Sequence, residues 1–379
     1  MELYIHIPFC VRKCAYCDFL SFPQTKEVIQ QYVETLMKEI RWAGKQYQTE
    51  AVSSIFIGGG TPSILEAEQM TAIMQSVQDS FYIEETAEIS IEANPGTVTE
   101  EKLHAYRSVG INRISFGLQS ADSNELQLLG RIHTYEEFLE SYRMARACGF
   151  ENVNVDLMSA LPGQTVESWE ETLTKVAKLE PEHISAYSLI IEEGTPFYEK
   201  YGEARGDGIL PDEDSECEMY HRTKAILREM GYERYEISNY AKPGRECRHN
   251  VGYWTGVPYL GLGLGASSYI DGCRFCNNSD LNAYLIREPG ERFDEIVLTE
   301  QDMQEEYFFV GLRLVKGVSM DGFEKQFGVA AESVYPGLMR HLIREGVAEL
   351  GGENGDFFRL TDFGMDVSNY VMAQFLLEK

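Results

Sequence analysis

The chain has 379 residues, 44% of them hydrophobic and 25% charged, with 12 prolines, a composition that excludes disorder and collagen-like repetition and leaves room for more than one core. Its 33 Lys and Arg against 61 Asp and Glu give a net charge of −28, a field that opposes a nonspecific grip on nucleic acid or anionic lipid. Eight cysteines are too dilute for a disulfide scaffold, so clustered thiols here point to metal or redox chemistry in a reducing compartment.

The N-terminus opens on an alternating strand, Leu3–Ile7, without the basic region or cleavage site of a secretory signal, which predicts a cytoplasmic protein. Apolar runs such as Ser53–Gly58 and Ile184–Ile191 reach only about a third to a half of the roughly 20 residues of a bilayer crossing, so no membrane span is expected. Further β-rich runs follow at Val52–Ile57, Ala87–Ala93, Arg113–Leu118, Asn152–Leu157 and His183–Ile191. Between them lie stretches with helical periodicity at Lys26–Ala43, Ala67–Ser80, Glu100–Val109, Tyr135–Cys148 and Thr165–Leu179, several ending at a glycine (Gly44, Gly110, Gly149) as helix caps do. This alternation predicts an α/β fold over residues 1–240: a partial, open (β/α)6 barrel of the TIM type, or else a doubly wound sheet.

Around Gly194–Asp214 the composition turns to Gly, Pro and acidic residues, which suggests a lid or connector, followed by a helix and an extra strand at Glu233–Ile237. Residues 241–298 form a loop-rich segment where His249, Tyr253 and Trp254 make a simple linker a poor description. Within it Gly261-Leu-Gly-Leu-Gly265 lacks a βαβ context, so it is expected to be a close-packed strand crossing the barrel mouth rather than a nucleotide loop. Residues 299–379 predict a small winged-helix-like unit, with helices at Asp302–Leu314, Met320–Phe327 and Ser333–Glu345 and a hairpin of Val347–Leu350 with Phe357–Leu360. Its third helix carries only Arg340, His341 and Arg344 as basic groups, so packing or docking is expected of it rather than nucleic-acid binding.

The first strand runs directly into Cys10-Val-Arg-Lys-Cys14-Ala-Tyr-Cys17, three thiols within eight residues. Three cysteines do not complete a tetrahedral zinc site, and no fourth donor stands at zinc-finger spacing. A [4Fe–4S] cube suits them better, since three thiolates hold three irons and leave the fourth open to an exchangeable ligand.

In the form His6-Ile-Pro-Phe-Cys10-x3-Cys14-x-Tyr16-Cys17, this loop resembles that of the radical S-adenosylmethionine (SAM) superfamily, in the branch of oxygen-independent coproporphyrinogen III oxidase. The resemblance implies a [4Fe–4S] cluster on Cys10, Cys14 and Cys17 at the C-terminal ends of the strands. It further implies that SAM chelates the open iron and is cleaved reductively to methionine and a 5′-deoxyadenosyl radical. Polar residues at the other strand ends agree: Gly58-Gly59-Gly60-Thr61 after the second, Glu92 on the third, Gln119 closing the fourth with Arg131 beyond it, and Asp156 on the fifth. Taken singly, the glycines are equally a tight turn, Glu92 equally a helix cap, and Asp156 equally half of a buried ion pair with a lysine or Arg131. By resemblance Tyr4, Gly59, Gly60, Thr61, Glu92, Gln119, Arg131 and Asp156 contact SAM, Tyr16 stands beside the cluster and Ile190 near the adenine.

The oxidase pattern carries a further cysteine two residues past the third, where this chain has Cys17-Asp18-Phe19. Cys247-Arg-His249-Asn-Val-Gly-Tyr253-Trp254 is instead similar to the HNxxYW motif of heme chaperones of the HemW type. That resemblance implies heme as a bound group, with His249 offering an imidazole to iron, Tyr253 and Trp254 stacking on the macrocycle and Cys247 a second candidate nearby. It also implies heme-accepting partners such as respiratory enzymes. The alternatives are a coproporphyrinogen oxidase, or a protein whose cluster serves only structure or dimer formation, and the His249 motif is equally a clasp holding the loop to the barrel. Cys273 and Cys276 form a CxxC without further donors in sequence.

Overall fold

The computed structural model describes residues 1–202 and 208–377. Residues 203–207, inside the stretch expected to be a lid or connector, lie outside the described residues.

Six strands, β1 (Glu2–Ile7), β2 (Ala51–Gly59), β3 (Tyr82–Ala93), β4 (Arg113–Gln119), β5 (Val153–Ser159) and β6 (His183–Ser188), stand side by side in chain order, each parallel to the next. The crossovers hold α1 (Lys26–Gln46), α2 (Ala67–Ser80), α3 (Glu100–Ser108), α4 (Ser123–Leu128), α5 (Tyr135–Ala147) and α6 (Val166–Ala177). A doubly wound sheet reverses its strand order part-way; this one never does, so the winding is that of a barrel rather than of a nucleotide-binding sheet. Helix α1 shows how sequence dictates the layer. Thr25 caps its first turn by accepting from the Val28 amide, and Ile29, Tyr32, Val33, Leu36, Ile40 and Ala43 recur at helical spacing on the face buried against the sheet. The helix runs through Gly44 instead of ending there. A Cβ at Gly44 would lie 2.5 Å from Ser80, so this glycine permits close helix packing rather than capping.

Next come α7 (Pro196–Tyr201), α8 (Glu213–Glu229), β7 (Glu233–Arg234) and β8 (Asn239–Ala241), the last antiparallel to β6. The segment expected to be loop-rich is largely regular: α9 (Arg248–Trp254), β9 (Tyr259–Leu262), β10 (Ser267–Ile270), β11 (Cys273–Cys276), α10 (Leu281–Ile286) and β12 (Phe293–Val297). Nor does the glycine-rich strand cross the barrel mouth. As β9 it lies parallel to β1 along the sheet edge, Glu2 opposite Tyr259 and Ile5 opposite Leu262, with β10, β11 and β12 continuing outward. Its end is tied to α1 because the Gly263 amide donates to Glu39 Oε2 at 3.1 Å and the Leu264 amide to Tyr32 Oη at 2.9 Å. The resulting twelve-stranded sheet has β12 and β7 at its margins and stays open.

The remaining chain folds on a second core. It comprises α11 (Glu300–Gly311), β13 (Val318–Ser319), α12 (Met320–Phe327), α13 (Ala331–Val334), α14 (Leu338–Arg344), β14 (Ala348–Gly351), β15 (Phe357–Leu360), α15 (Asp362–Asp366) and α16 (Ser368–Ala373). The helix expected at Ser333–Glu345 is two, broken where Gly337 takes a left-handed φ of 77° after Pro336. Three short antiparallel strands in the order β13-β15-β14 and the helices around them give the winged-helix-like outline, with Phe308 stacked on Phe375 at 4.3 Å in its centre. The first core draws on residues between Leu3 and Tyr284 and the second on residues between Phe308 and Phe375.

Candidate functional site

The loop after β1 crosses the C-terminal end of the sheet and is fastened along its length by backbone groups. The Gly60 amide donates to Ile7 O at 2.8 Å, Thr61 N to Phe9 O at 2.8 Å, Cys10 N to Phe22 O at 3.2 Å, and Ala15 N to Leu129 O at 3.1 Å. Glycine at position 60 is demanded by this crossing: a Cβ there would lie 2.7 Å from Phe9 O and 3.0 Å from Cys10 Sγ. Gly59 has φ 113°, and a Cβ on it would strike the His6 ring at 2.5 Å. The turn expected to meet a cofactor is thus also the floor of the cysteine loop.

One hollow, of about 120 Å³, collects Cys10, Cys14 and Cys17 with groups from four strands. Gly59, Gly60 and Thr61 come from β2, Glu92 from β3, Gln119 from β4, Asp156 from β5, and Arg131 and Tyr16 complete the wall. Thr61 Oγ1 lies 3.5 Å from Cys10 Sγ and accepts from Asn94 Nδ2 at 2.8 Å. Arg131 donates to Asn94 Oδ1 at 2.6 Å, to the Gly117 carbonyl, and to Cys14 Sγ at 3.5 Å. Gln119 carries a positive φ of 73° beside a register shift between β4 and β5, the kind of irregularity that re-aims a strand end. Tyr4 faces the same interior on β1, its hydroxyl 3.0 Å from His6 Nδ1, whose Nε2 is 2.9 Å from Leu20 O.

Among the described residues Asp156 does not form the ion pair considered as its alternative. It accepts from Ser115 Oγ at 3.0 Å and Asn154 Nδ2 at 2.7 Å, while Arg131 is turned to Asn94 and Cys14. Burial raises its pKa despite these bonds. Burial, and next the nearby Asp156, push Glu92 up to about 8, although the Gly59 amide donates to its Oε2 at 3.0 Å and opposes the shift. Two half-buried carboxyls thus face one hollow, poised to take the donors or positive charge of a ligand.

These residues suit a cluster. The cysteines are half-buried and free, and among the described residues no three donors converge closely enough for a single ion. In a cube each thiolate binds a different iron, and three free thiols lining one hollow are the donors such a cluster takes. Asn94, Ser115 and Asn154 were not singled out from sequence. Asn154 sits two residues from Asp156 on β5 and hence on the same strand face, a period-two signal that was there to read, whereas Asn94, just past the end of β3, and Ser115 are found only through their contacts.

Ile190 is not brought into this hollow. It lies two residues past the end of β6, is 70% exposed, and lines a separate hollow with Ala160 and Tyr201. The HNxxYW residues divide. Tyr253 and Trp254 line a cavity between α9 and the C-terminal unit. His249 turns away into the barrel, 1% exposed, with Nδ1 2.8 Å from Ser54 Oγ, Nε2 3.0 Å from Tyr253 Oη and its ring stacked on Phe56 at 5.3 Å. Both ring nitrogens are occupied, and burial with nearby Arg113 lowers its pKa to about 3. Iron ligation through His249 therefore requires α9 to release one of these bonds. Cys247 is likewise buried, its thiol donating to Glu88 Oε1 at 3.4 Å, so it stands at no open iron site.

Comparison with known proteins matches the radical SAM superfamily profile to residues 4–176 and the HemN C-terminal domain profile to residues 298–367. A protein of Lactococcus lactis subsp. lactis named heme chaperone HemW is 36% identical over 99% of this chain and 97% of its own length. Its namesake in Bacillus subtilis is 36% identical over 99% of both chains. Among solved structures, the coproporphyrinogen III oxidase HemN of Escherichia coli, described as a radical SAM enzyme, superposes with a TM-score of 0.86 at 25% identity, covering 99% of this chain and 89% of that one. A radical SAM domain implies a [4Fe–4S] cluster and SAM. With its cysteine loop, its singly wound sheet and this full-length likeness, the chain belongs to the HemW family of heme chaperones within the radical SAM superfamily.

Proposed function

We propose that this protein is a heme chaperone that holds a [4Fe–4S] cluster on Cys10, Cys14 and Cys17, binds SAM beside it, and passes heme to acceptor proteins such as respiratory enzymes. The observation that carries the reading is identity of 36% over nearly the whole chain with proteins named heme chaperones. The hollow supports its cofactor half. When bound, the cluster supplies one electron at a time to the sulfonium of SAM. The chain's own part is to bind and orient. The Gly59 and Gly60 backbone allows the amino-acid end of SAM to approach closely, Glu92 and Asp156 accept from its hydroxyl and ammonium groups, and Arg131 holds Asn94 and the Cys14 sulfur in place. Thr61 and Gln119 complete the wall, Tyr4 stands behind it near Glu92, and Tyr16 packs beside the cysteines; Ile190 reaches the adenine only if the segment after β6 folds inward. Among the described residues no helix is long and apolar enough to cross a membrane, and we place the protein in the cytoplasm.

The second reading, coproporphyrinogen III oxidation, is favoured by the superposition over 99% of the chain on HemN. Two assays separate them. Anaerobically reconstituted protein is titrated with heme and the Soret band followed, and is then incubated with coproporphyrinogen III, SAM and a reductant. Saturable heme binding without protoporphyrinogen is the expected result; absent heme binding with substantial product would replace the first reading with the second.

A further inference from the structure

Below the hollow the barrel interior is polar at a level where a packed barrel core is ordinarily apolar. Ser115 on β4, Asn154 on β5 and His183 on β6 are register neighbours on three adjacent strands, so their side chains meet at one level, and all three are buried, His183 completely. Asp156 and Ser185 stand two residues further along β5 and β6, on the same face and one level nearer the hollow. Buried amides, hydroxyls and imidazoles cost stability unless each is hydrogen-bonded. The order of their bonds shows what they serve.

The bonds run in one direction. Tyr235 Oη lies 2.9 Å from His183 Nε2, and His183 Nδ1 lies 2.6 Å from Asn154 Oδ1, which also accepts from Ser185 Oγ at 3.2 Å. An amide oxygen only accepts, so the imidazole proton is on Nδ1 and Nε2 is left to accept from the Tyr235 hydroxyl. Burial lowers the His183 pKa well below 6.5, in keeping with a neutral ring that carries this one proton. The Asn154 amide nitrogen then donates both of its protons, to Asp156 Oδ1 and to Ser115 Oγ, each at 2.7 Å, and the Ser115 hydroxyl donates to Asp156 Oδ2 at 3.0 Å. From Tyr235 upward every group donates toward Asp156.

Each Asp156 oxygen receives one such donor, which leaves a second lone pair on each for a ligand in the hollow. Aligned donors reinforce one another, hold the carboxyl in one orientation and favour its charged form against the burial that disfavours it. The foot of the column is held as well. Tyr235 O accepts from the Val315 amide at 2.9 Å and Glu236 forms a β-bridge with Leu314, both in the stretch that follows α11 of the C-terminal unit.

We propose that Asn154, His183 and Tyr235 are positioning residues for SAM: their one-way column of hydrogen bonds fixes the Asp156 carboxylate as an acceptor facing the hollow. The assignment rests on the reading that Asp156 meets SAM there, and adds what sets its orientation and charge. None of the three lines the hollow, so each acts through Asp156. A hydroxyl at the seat of the C-terminal unit, three hydrogen bonds away from Asp156, thereby adjusts SAM affinity.

The test is a calorimetric SAM titration of the full chain, loaded anaerobically with its cluster. Tyr235→Phe removes one hydroxyl from the foot and weakens SAM binding by about threefold; Ser115→Ala and His183→Phe, nearer to Asp156, weaken it by about fivefold to tenfold. In an Asp156→Asn background the same changes alter the affinity by less than about twofold, because their route to the ligand is gone. General loosening of the barrel would instead weaken binding equally in both backgrounds. Tyr232→Phe is the matched control: it removes a buried tyrosine hydroxyl from the same segment, bonded at 2.7 Å to Pro181 O outside the column, and leaves SAM affinity within about twofold. Iron and sulfide content equal to wild type reports an intact fold, and if His183→Phe fails that criterion the two milder variants carry the test. Wild-type protein that binds SAM with an affinity indifferent to Tyr235→Phe and Ser115→Ala, or variant effects that persist in the Asp156→Asn background, overturn the column and leave the cofactor reading standing. Wild-type protein that binds no SAM overturns that reading itself.

Discussion

The two ends of the barrel use the same residue types to opposite purposes. At the C-terminal end of the strands, cysteines sit half-exposed on a loop pinned by backbone bonds at Cys10, Ala15 and Phe22, so the thiols remain available. At the other end Cys247 and His249 occur within a motif of equal apparent promise, yet both are buried and every polar atom of the imidazole is engaged. The difference teaches that a donor's partners, more than its identity, decide whether it serves a ligand. Substitution at one end should remove a bound group with little loss of stability, and substitution at the other should do the reverse.

The largest expected effect is at Cys10. Cys10→Ala should abolish the cluster, counted as iron and sulfide after anaerobic reconstitution, because two thiolates do not hold a cube. If the two ends are independent, its hemin affinity stays within about twofold of wild type. A joint loss of iron and hemin would join the two ends into one site. A smaller effect is expected at the carboxyls: Asp156→Asn or Glu92→Gln should weaken SAM binding by about tenfold, measured calorimetrically, while iron content is unchanged. Unaltered SAM affinity in both would remove them from the wall of the site.

How much of this could be read from the chain follows from the range of the forces involved. The cysteine loop, the glycine turn and the strand-end carboxyls were legible because local spacing and period-two patterning fix them. The six strand–helix units followed from the regular alternation of elements, which left their winding open between barrel and doubly wound order until the strand order was seen. What was missed depends on contacts distant in sequence. The glycine-rich segment 261–265 reads as a mouth-crossing strand until it is seen bound to Glu39 and Tyr32, more than 200 residues earlier. His249 reads equally as a ligand and as a clasp, and the contact that bears on the choice is with Ser54, 195 residues away. Gly44 reads as a cap until Ser80 is seen against it.

At the α9 end, His249→Ala should cost about 2 to 4 kcal/mol of folding stability, from two lost hydrogen bonds and the emptied contact with Phe56, read as a lower urea midpoint. Cluster content should not change. A hemin Soret maximum that keeps its position in the residual folded protein agrees with a clasp, whereas a shifted maximum would make His249 an iron ligand after all.

The finest distinction is one of pH. Glu2 Oε2 lies 3.7 Å from His249 Nδ1, a distance that suggests an ion pair. Burial argues otherwise, because it raises Glu2 to about 8 and lowers His249 to about 3, so both partners are neutral at pH 7. For His249 the unfolded chain takes up a proton below its ordinary value of 6.5 and the folded chain does not until about 3. Its contribution is therefore fully present above pH 6.5 and is lost as pH falls toward 3. Glu2 works in the opposite sense, contributing below its ordinary 4.5 and losing that contribution as pH rises through about 8. His249→Gln deletes only the first of these. Its urea midpoint should fall less steeply than that of wild type between pH 6.5 and 5, and the two profiles should run parallel between pH 7 and 8, where of these two groups only Glu2 titrates and Glu92 titrates alike in both proteins. Parallel profiles across the whole range would mean that the imidazole is solvated and charged in the folded protein, and the contrast between the two ends of the barrel would lose its physical basis.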